Sequence, residues 1–304
     1  MGKSLGIHLT GRIVTGVIEN QKPCSQLFHF PDDQEDTGSL LDTPLDGLID
    51  HMREQALRAV RDCGPIEAAG LALPGIVREG VVDDSPNLAQ LKGARIAEKV
   101  HRALSEAGIA APVTVLNDAD AMAAGVAAKH GRLDAFIRLW ALGYGIGFGR
   151  YPYAPGIWEG GHCVVTLDST ENYCGCGGRG HLEGIMGHRA MRLRFLDMEP
   201  EEIFDHAKTG DARCKEFVRL WHRGLAAATA NSIHMEGAGR FYYTGLNVRF
   251  LDMKLLQHYL QQMVTMSPLQ NYTLEVVPMS DDLAVTGAAI AASQAATIGN
   301  FVSS

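Results

Sequence analysis

Four metal-type donors lie close together in one glycine-rich stretch, His162-x11-Cys174-x-Cys176-x4-His181, and they constrain how that stretch can fold. Cys174 and Cys176 sit in Tyr-Cys-Gly-Cys-Gly-Gly-Arg-Gly-His, where the glycines let the backbone turn tightly enough to bring closely spaced donors to one ion. Two thiolates and two imidazoles complete a tetrahedral shell. That set suits Zn2+ and leaves no open coordination position for catalysis, so the expected site is structural zinc. The alternative is a pair of reduced surface thiols with two incidental histidines, but a loop this rich in glycine has no other evident means of ordering. A redox pair fits less well, because this Cys-x-Cys follows a loop and does not open a helix. Cys24, Cys63, Cys163 and Cys214 have no partner at metal spacing and read as unpaired thiols.

The rest of the chain alternates strand and helix signals. Leu5 to Ile18 reads as two short strands around a Thr10-Gly11 turn, and Ala68 to Leu73 as a buried strand running into Pro74-Gly75. Helical spacing covers Leu40 to Asp62, stopped by Cys63-Gly64-Pro65, and Ala94 to Ala107, stopped by Gly108. Pro112 to Leu116 is a short strand that delivers Asn117-Asp118 to the helix from Ala119 to His130. Phe136 to Ala141 is a strand before the run Gly143-Tyr144-Gly145-Ile146-Gly147. A helical stretch from Glu201 to Ile233 breaks at Gly210. Strands follow at Phe241 to Tyr243 and near Leu274 to Val277, then a helix from Ala284 to about Ala296. The alternation predicts an α/β fold. With 304 residues, about two domains are expected. The expected division is a smaller N-terminal α/β domain, 1–118, and a larger C-terminal α/β domain, 119–304, which carries the zinc loop; the last helix, from about 290, packs back on the N-terminal domain.

Composition excludes several classes. A formal charge of −8 argues against a nucleic-acid footprint, which needs clustered Lys and Arg. No apolar run reaches the roughly 18 residues of a membrane span, and Met1 to Ile7 lack a secretory layout. The expectation is a cytoplasmic protein whose partner is a small molecule, neither nucleic acid nor membrane.

Three carboxylates stand near this loop or at an element end. Glu159 is three residues before His162, and Glu183 is two after His181, so an ion that fixes both histidines also fixes both glutamates. Asp118 ends a buried strand, where α/β folds present reactive groups. Carboxylates and an Asn suit sugar hydroxyls, because their oxygens accept strong charge-assisted hydrogen bonds. Asp118 could equally be the N-cap of the helix that follows, and position alone does not separate the two.

These residues carry a family resemblance. Asn117-Asp118-Ala119-Asp120 resembles the Asn-Asp-Ala-Asn motif of the ROK (repressor, open reading frame, kinase) family. Pro74-Gly75 with Ser85-Pro86-Asn87-Leu88 resembles its sugar-domain loops. Gly143 to Gly149 is similar to its second phosphate loop, and Glu159-Gly160-Gly161-His162 to its Gly-Glu-Ile-Gly-His motif. Cys174 to Glu183 matches its Cys-x-Cys-Gly-x-x-Gly-Cys-x-Glu signature, with His181 in place of the third cysteine. The resemblance runs from about Leu5 to Ala292. It implies a two-domain actin-like ATPase (ribonuclease H-like) fold, a homodimer, and transfer of the ATP γ-phosphoryl group to a hexose or amino sugar. Asp118 would be the general base, and Gly75, Asn87, Asn117, Glu159, His162 and Glu183 would bind the sugar. Thr10, Gly11, Arg12, Gly143, Tyr144, Gly145 and Gly245 would border the nucleotide, which carries Mg2+.

The nucleotide side departs from the family pattern. Family kinases open with Asp-x-Gly-Gly-Thr, and the matching segment here is His8-Leu9-Thr10-Gly11-Arg12. Mg2+ prefers oxygen ligands, which His8 does not supply. Thr10 adds a Cβ where backbone should approach phosphate. Tyr144 replaces a small hydroxyl residue, and Thr244-Gly245-Leu246-Asn247 replaces a Gly-Gly loop. Three functions stay open: a sugar kinase, a sugar-binding pseudokinase that senses, or a sugar-converting enzyme of isomerase, lyase or hydrolase type that works without ATP.

Overall fold

The computed structural model describes residues 2–33, 38–154 and 156–302. The chain divides into two compact units. One comprises Met1–Ile137, Gly149–Ile157 and Ser280–Ser304, the other Arg138–Phe148 and Trp158–Met279.

In the first unit, β1 (Ser4–Leu9) and β2 (Ile13–Glu19) form the antiparallel hairpin expected around Thr10-Gly11, with Ser4 opposite Ile18 and Leu9 opposite Ile13. Two short strands missed in the sequence, β3 (Lys22–Pro23) and β4 (Phe28–Phe30), also pair with β2. The helices α1 (Ser39–Asp42) and α2 (Leu45–Cys63) lead to β5 (Ala68–Leu73), parallel to β1. A separate hairpin, β6 (Ile76–Arg78) with β7 (Val81–Asp84), precedes α3 (Ile96–Glu106). Then β8 (Val113–Asn117) joins parallel to β5 and runs straight into α4 (Asp118–Lys129). The strand order is β3-β2-β1-β5-β8.

Alternation along β1 sorts its two faces. Leu5, Ile7 and Leu9 enter a core with Leu48, Met52 and Ala56 of α2 and Val100 and Leu104 of α3. The opposite face carries Gly6, and β5 carries Gly70. A Cβ at either would overlap the carbonyl groups of Val285 or Ala288 in the C-terminal helix, Asp281–Val302. Gly287 of that helix meets the Ala121 carbonyl of α4, and Gly125 of α4 meets the Leu283 carbonyl. Backbone therefore packs on backbone, which glycine alone allows at this spacing. Gly287→Leu should lower unfolding stability by about 3 kcal/mol or more, because the helix must lift to admit the side chain. A denaturation midpoint equal to wild type would show that the helix does not sit this close.

A second sheet comprises β9 (Ile137–Leu142), β10 (Ile146–Tyr151), β11 (Arg240–Thr244) and β12 (Thr273–Val276), in the order β10-β9-β11-β12, and the second unit is built on it apart from Ile137 and Gly149–Tyr151, which belong to the first. The helices of the second unit are α5 (Leu182–Met186), α6 (His188–Arg194), α7 (Pro200–Thr209), α8 (Ala212–Glu236) and α9 (Met253–Met263). Gly210, at φ +118°, separates α7 from α8 where the break was expected. Trp221, Leu225 and Ile233 of α8 share a core with Trp140, Phe241 and Tyr243 of the sheet. Helix α9 buries Leu256 and Leu260. Among the described residues, no helix is long and apolar enough to cross a membrane.

Candidate functional site

In the first unit, Asn117 ends β8 and caps α4. Its Oδ1 accepts from the Ala119 N–H at 2.9 Å, and its Nδ2 donates to the Gly75 carbonyl at 3.0 Å. The N-cap is thus Asn117, whereas the sequence left Asp118 open to that role. Asp118 is the first helical residue, partly exposed, and its Oδ1 also accepts from the Ala119 N–H at 2.9 Å. Gly75 has φ +117°, and a Cβ there would crowd the Asp84 carbonyl. The Ser85 hydroxyl donates to the Pro74 carbonyl at 2.9 Å, which ties the loop bearing the exposed Asn87 to this turn. Gly75 and Asn117 are therefore directly joined, with Asp118 next in the chain.

The β1–β2 turn belongs to the same unit. The Thr10 N–H donates to the Arg12 carbonyl at 3.0 Å, and neither Thr10 nor Gly11 takes a positive φ. His8 lies just before the turn, on the face of β1 shared with Gly6 and the C-terminal helix. Its Nε2 has no hydrogen-bond partner. Burial pushes the His8 pKa from 6.5 down to about 4, against the opposing pull of the Asp281 carboxylate. His8 is therefore neutral at pH 7 and the turn offers no carboxylate in its place, so these residues do not fit a Mg2+ ligand position. The unfolded chain binds this proton more readily than the folded one. Stability from His8 is therefore complete above pH 6.5 and falls as pH drops towards 4, by roughly 3 kcal/mol. His8→Gln should flatten the stability profile over that window. Superimposable profiles for the two proteins would contradict the burial.

The second unit gathers the Cys/His cluster. His162 closes a short 3-10 turn, Gly160–His162, and Val164 bridges to His181. The His162 Nδ1 lies 3.3 Å from the Cys176 Sγ and 3.6 Å from the Cys174 Sγ. The two sulfurs are 3.4 Å apart, and the His181 Nδ1 is 3.3 Å from the Cys176 Sγ. All four ligand atoms fall within 4.8 Å of one another. A tetrahedral zinc shell has ligand–ligand edges of about 3.4–3.8 Å, so the donors fit such an ion. Gly178 has no room for a Cβ, because the His181 ring fills that space. Burial, with Cys176 and Glu183 nearby, pushes the Cys174 thiol up to about 12, so a divalent cation is what would favour its thiolate.

Both glutamates border this cluster. The Glu183 Oε1 is 3.6 Å from the Cys174 Sγ, and its Oε2 accepts from the Ile146 N–H at 3.0 Å. Glu159 is held above the usual carboxylate range mainly by burial; His162 opposes the shift and Glu183 adds to it. Sequence reasoning missed the anchor of the loop. Arg194 of α6 pairs with both Glu171 oxygens and lies over the Tyr173 ring, with 4.2 Å to its centroid. A half-buried ion pair between residues 171 and 194 leaves no local sequence signature.

Gly143, Tyr144 and Gly145 form the tight turn between β9 and β10, closed by the Gly143 N–H donating to the Gly145 carbonyl at 3.0 Å. The Tyr144 side chain is exposed, with the His188 ring edge-on at 5.4 Å. Buried Asn247, also missed as a site residue, donates to the Gly143 carbonyl at 2.9 Å. Gly245, at φ +101°, passes against Leu142, where a Cβ would be 2.5 Å from the carbonyl oxygen.

A model of the ROK family matches residues 13–295, nearly the whole chain. The chain belongs to the ROK family. Its fold is similar to that of a ROK hexokinase from Thermus thermophilus, at a TM-score of 0.81 and 23% identity, covering 98% of this chain and 100% of that one. It is also similar to a ROK family glucokinase from Streptomyces griseus solved with glucose and AMPPNP. There the TM-score is 0.70 at 20% identity, over 96% of this chain and 100% of that one. A stretch of 78 residues is 37% identical to a glucokinase of Pyrobaculum calidifontis, spanning 24% of this chain and 26% of that relative. The fold is thus the α/β, actin-like fold of ROK sugar kinases.

Proposed function

We propose that this ROK protein is a kinase that transfers the γ-phosphoryl group of ATP to a hydroxyl of a hexose or amino sugar. The observation that carries the reading is the Asn117-Asp118 pair at the end of β8. Asn117 is locked to Gly75 and to the start of α4, which leaves Asp118 presented in the first helical turn. Phosphoryl transfer asks a protein mainly for positioning and charge stabilisation, so a fixed carboxylate beside a held hydroxyl is the part the chain must supply. In this reading Asp118 accepts the proton of the attacking hydroxyl. Gly75, Asn87 and Asn117 orient the sugar, as do Glu159, His162 and Glu183.

The Cys/His cluster is read as a structural Zn2+ site. His162, Cys174, Cys176 and His181 would hold the ion, whose charge would keep both cysteines as thiolates. Glu159 and Glu183 are set by their places beside these ligands. For the nucleotide, the open Gly143–Gly145 turn with Tyr144, the Gly245 turn, and Thr10, Gly11 and Arg12 are the candidate neighbours. No step is assigned to Mg2+, since His8 gives it no oxygen ligand. A homodimer in the cytoplasm is part of the same proposal.

His8 also supports a second reading, a sugar-binding pseudokinase or a sugar-converting enzyme that uses no ATP. A coupled assay for ADP release separates them. The kinase reading expects ADP formation that depends on one hexose or N-acetylhexosamine of a panel. Sugar binding with no ADP from any member would support the second reading.

A further inference from the structure

Asp120, the last residue of the Asn117-Asp118-Ala119-Asp120 motif, has no part in the proposed chemistry so far. It is the third residue of α4 and only 5% exposed. Burying a carboxylate is costly unless hydrogen bonds and nearby positive charge offset the lost hydration. Asp120 has both. The first turn of α4 offers the positive end of the helix dipole, and Asp120 Oδ1 accepts from the Arg150 N–H at 2.8 Å. That bond leaves the helix and ends on β10, 30 residues further on. Gly149, the residue before, crosses α4 backbone to backbone. A Cβ there would lie 1.9 Å from the Ala119 carbonyl oxygen and 2.8 Å from the Asp120 nitrogen. Gly149 ends the glycine run that resembles a phosphate loop, yet its missing side chain makes room for α4. Ala119 is thus held on both sides, its N–H by the Asn117 and Asp118 oxygens and its carbonyl against Gly149. All these residues belong to the first unit. The end of β10 is therefore fastened to the same helical turn that presents Asp118.

We propose that Asp120 is a positioning residue for phosphoryl transfer, which fixes the first turn of α4 against Gly149 and Arg150 and so sets where the Asp118 carboxylate stands. The role rests on the kinase reading with Asp118 as the base. A base must stand within hydrogen-bond reach of the hydroxyl it deprotonates, and a displacement of about 1 Å can lower a rate by about a hundredfold. Asp120→Ala removes the acceptor of the Arg150 N–H, so the strand end and the helical turn lose their fastening. Asn keeps an oxygen at the same reach and is the residue of the motif that this segment resembles. Asp120→Asn should therefore preserve the hold.

The test measures kcat and sugar KM from ADP formation for the wild-type full chain, Asp120→Ala, Asp120→Asn, Asp118→Asn and the double variant Asp118→Asn/Asp120→Ala. Asp120→Ala should lose about a hundredfold in kcat with sugar KM within about threefold of wild type. Asp120→Asn should keep both within about threefold. In the Asp118→Asn background, Asp120→Ala should cost less than about threefold, because a residue that acts through the base has nothing left to position. Gly149→Ala, which forces the Ala119 carbonyl aside, should repeat the kcat loss, and it carries the test should Asp120→Ala not be recovered folded. Wild-type kcat in folded Asp120→Ala or in Gly149→Ala, an equal loss in Asp120→Asn, or the same loss persisting in the Asp118→Asn background would overturn the role and leave the kinase reading in place. Wild-type protein that forms no ADP with any sugar overturns the kinase reading and this role together.

Discussion

Asp118→Asn is expected to lower phosphoryl transfer by about a thousandfold or more while sugar affinity stays within about tenfold. The substitution is close to isosteric. The Asn oxygen can still accept from the Ala119 N–H, as Asp118 Oδ1 does at 2.9 Å, so the first turn of α4 is kept. Only the ability to take a proton from the attacking hydroxyl is removed. Asn117→Ala makes the contrast, because it loses both the cap on Ala119 and the bond to the Gly75 carbonyl. That variant should lose about 1 kcal/mol of stability along with sugar affinity. Turnover by Asp118→Asn at the wild-type rate would leave Asp118 as a helix-starting residue and no more.

The second large effect is on metal. Purified protein should carry about one equivalent of zinc per chain through dialysis, and Cys176→Ser should lose both the metal and most of the soluble yield. Cys176 is the hub of the cluster, within 3.4 Å of Cys174 and 3.3 Å of each histidine. A serine hydroxyl is not ionised at neutral pH and cannot replace the thiolate. His181→Cys, which restores the cysteine of the family signature, should retain the ion. Cys163→Ser, a change at a thiol outside the cluster, should leave metal content unchanged. Loss of zinc should also weaken sugar affinity, since Glu183 lies against Cys174 and Glu159 beside His162. Freshly purified protein that contains no metal would remove the site from the account.

Much of this was legible in the sequence where a local signal had a local cause. The apolar run to Leu116 followed by Asn117-Asp118 gave a strand entering a helix because both elements are continuous in the chain. The Cys/His spacing pointed to a cluster because glycines at 175, 177, 178 and 180 leave the loop few other ways to fold. Gly210 marked a helix end through its positive φ. What escaped depends on distant partners. Strand β3 has two residues, too few for any periodicity, and exists because β2 pairs with it. The last helix begins at Asp281, not Ala284, because its first turn is acidic and polar. Asn247 and Gly143, and Arg194 and Glu171, meet only after the chain has folded. The nucleotide-side residues were read from resemblance, and the neutral His8 is where that resemblance is weakest.

The most direct test is calorimetric titration of Mg-ATP into the protein, alone and with each sugar of a hexose and N-acetylhexosamine panel. The account predicts a binding isotherm for Mg-ATP that tightens in the presence of one sugar, because a kinase holds both substrates together. A clear isotherm for a sugar with no heat from Mg-ATP under any condition would contradict it, and would mean that the fold has kept its sugar site without phosphoryl transfer.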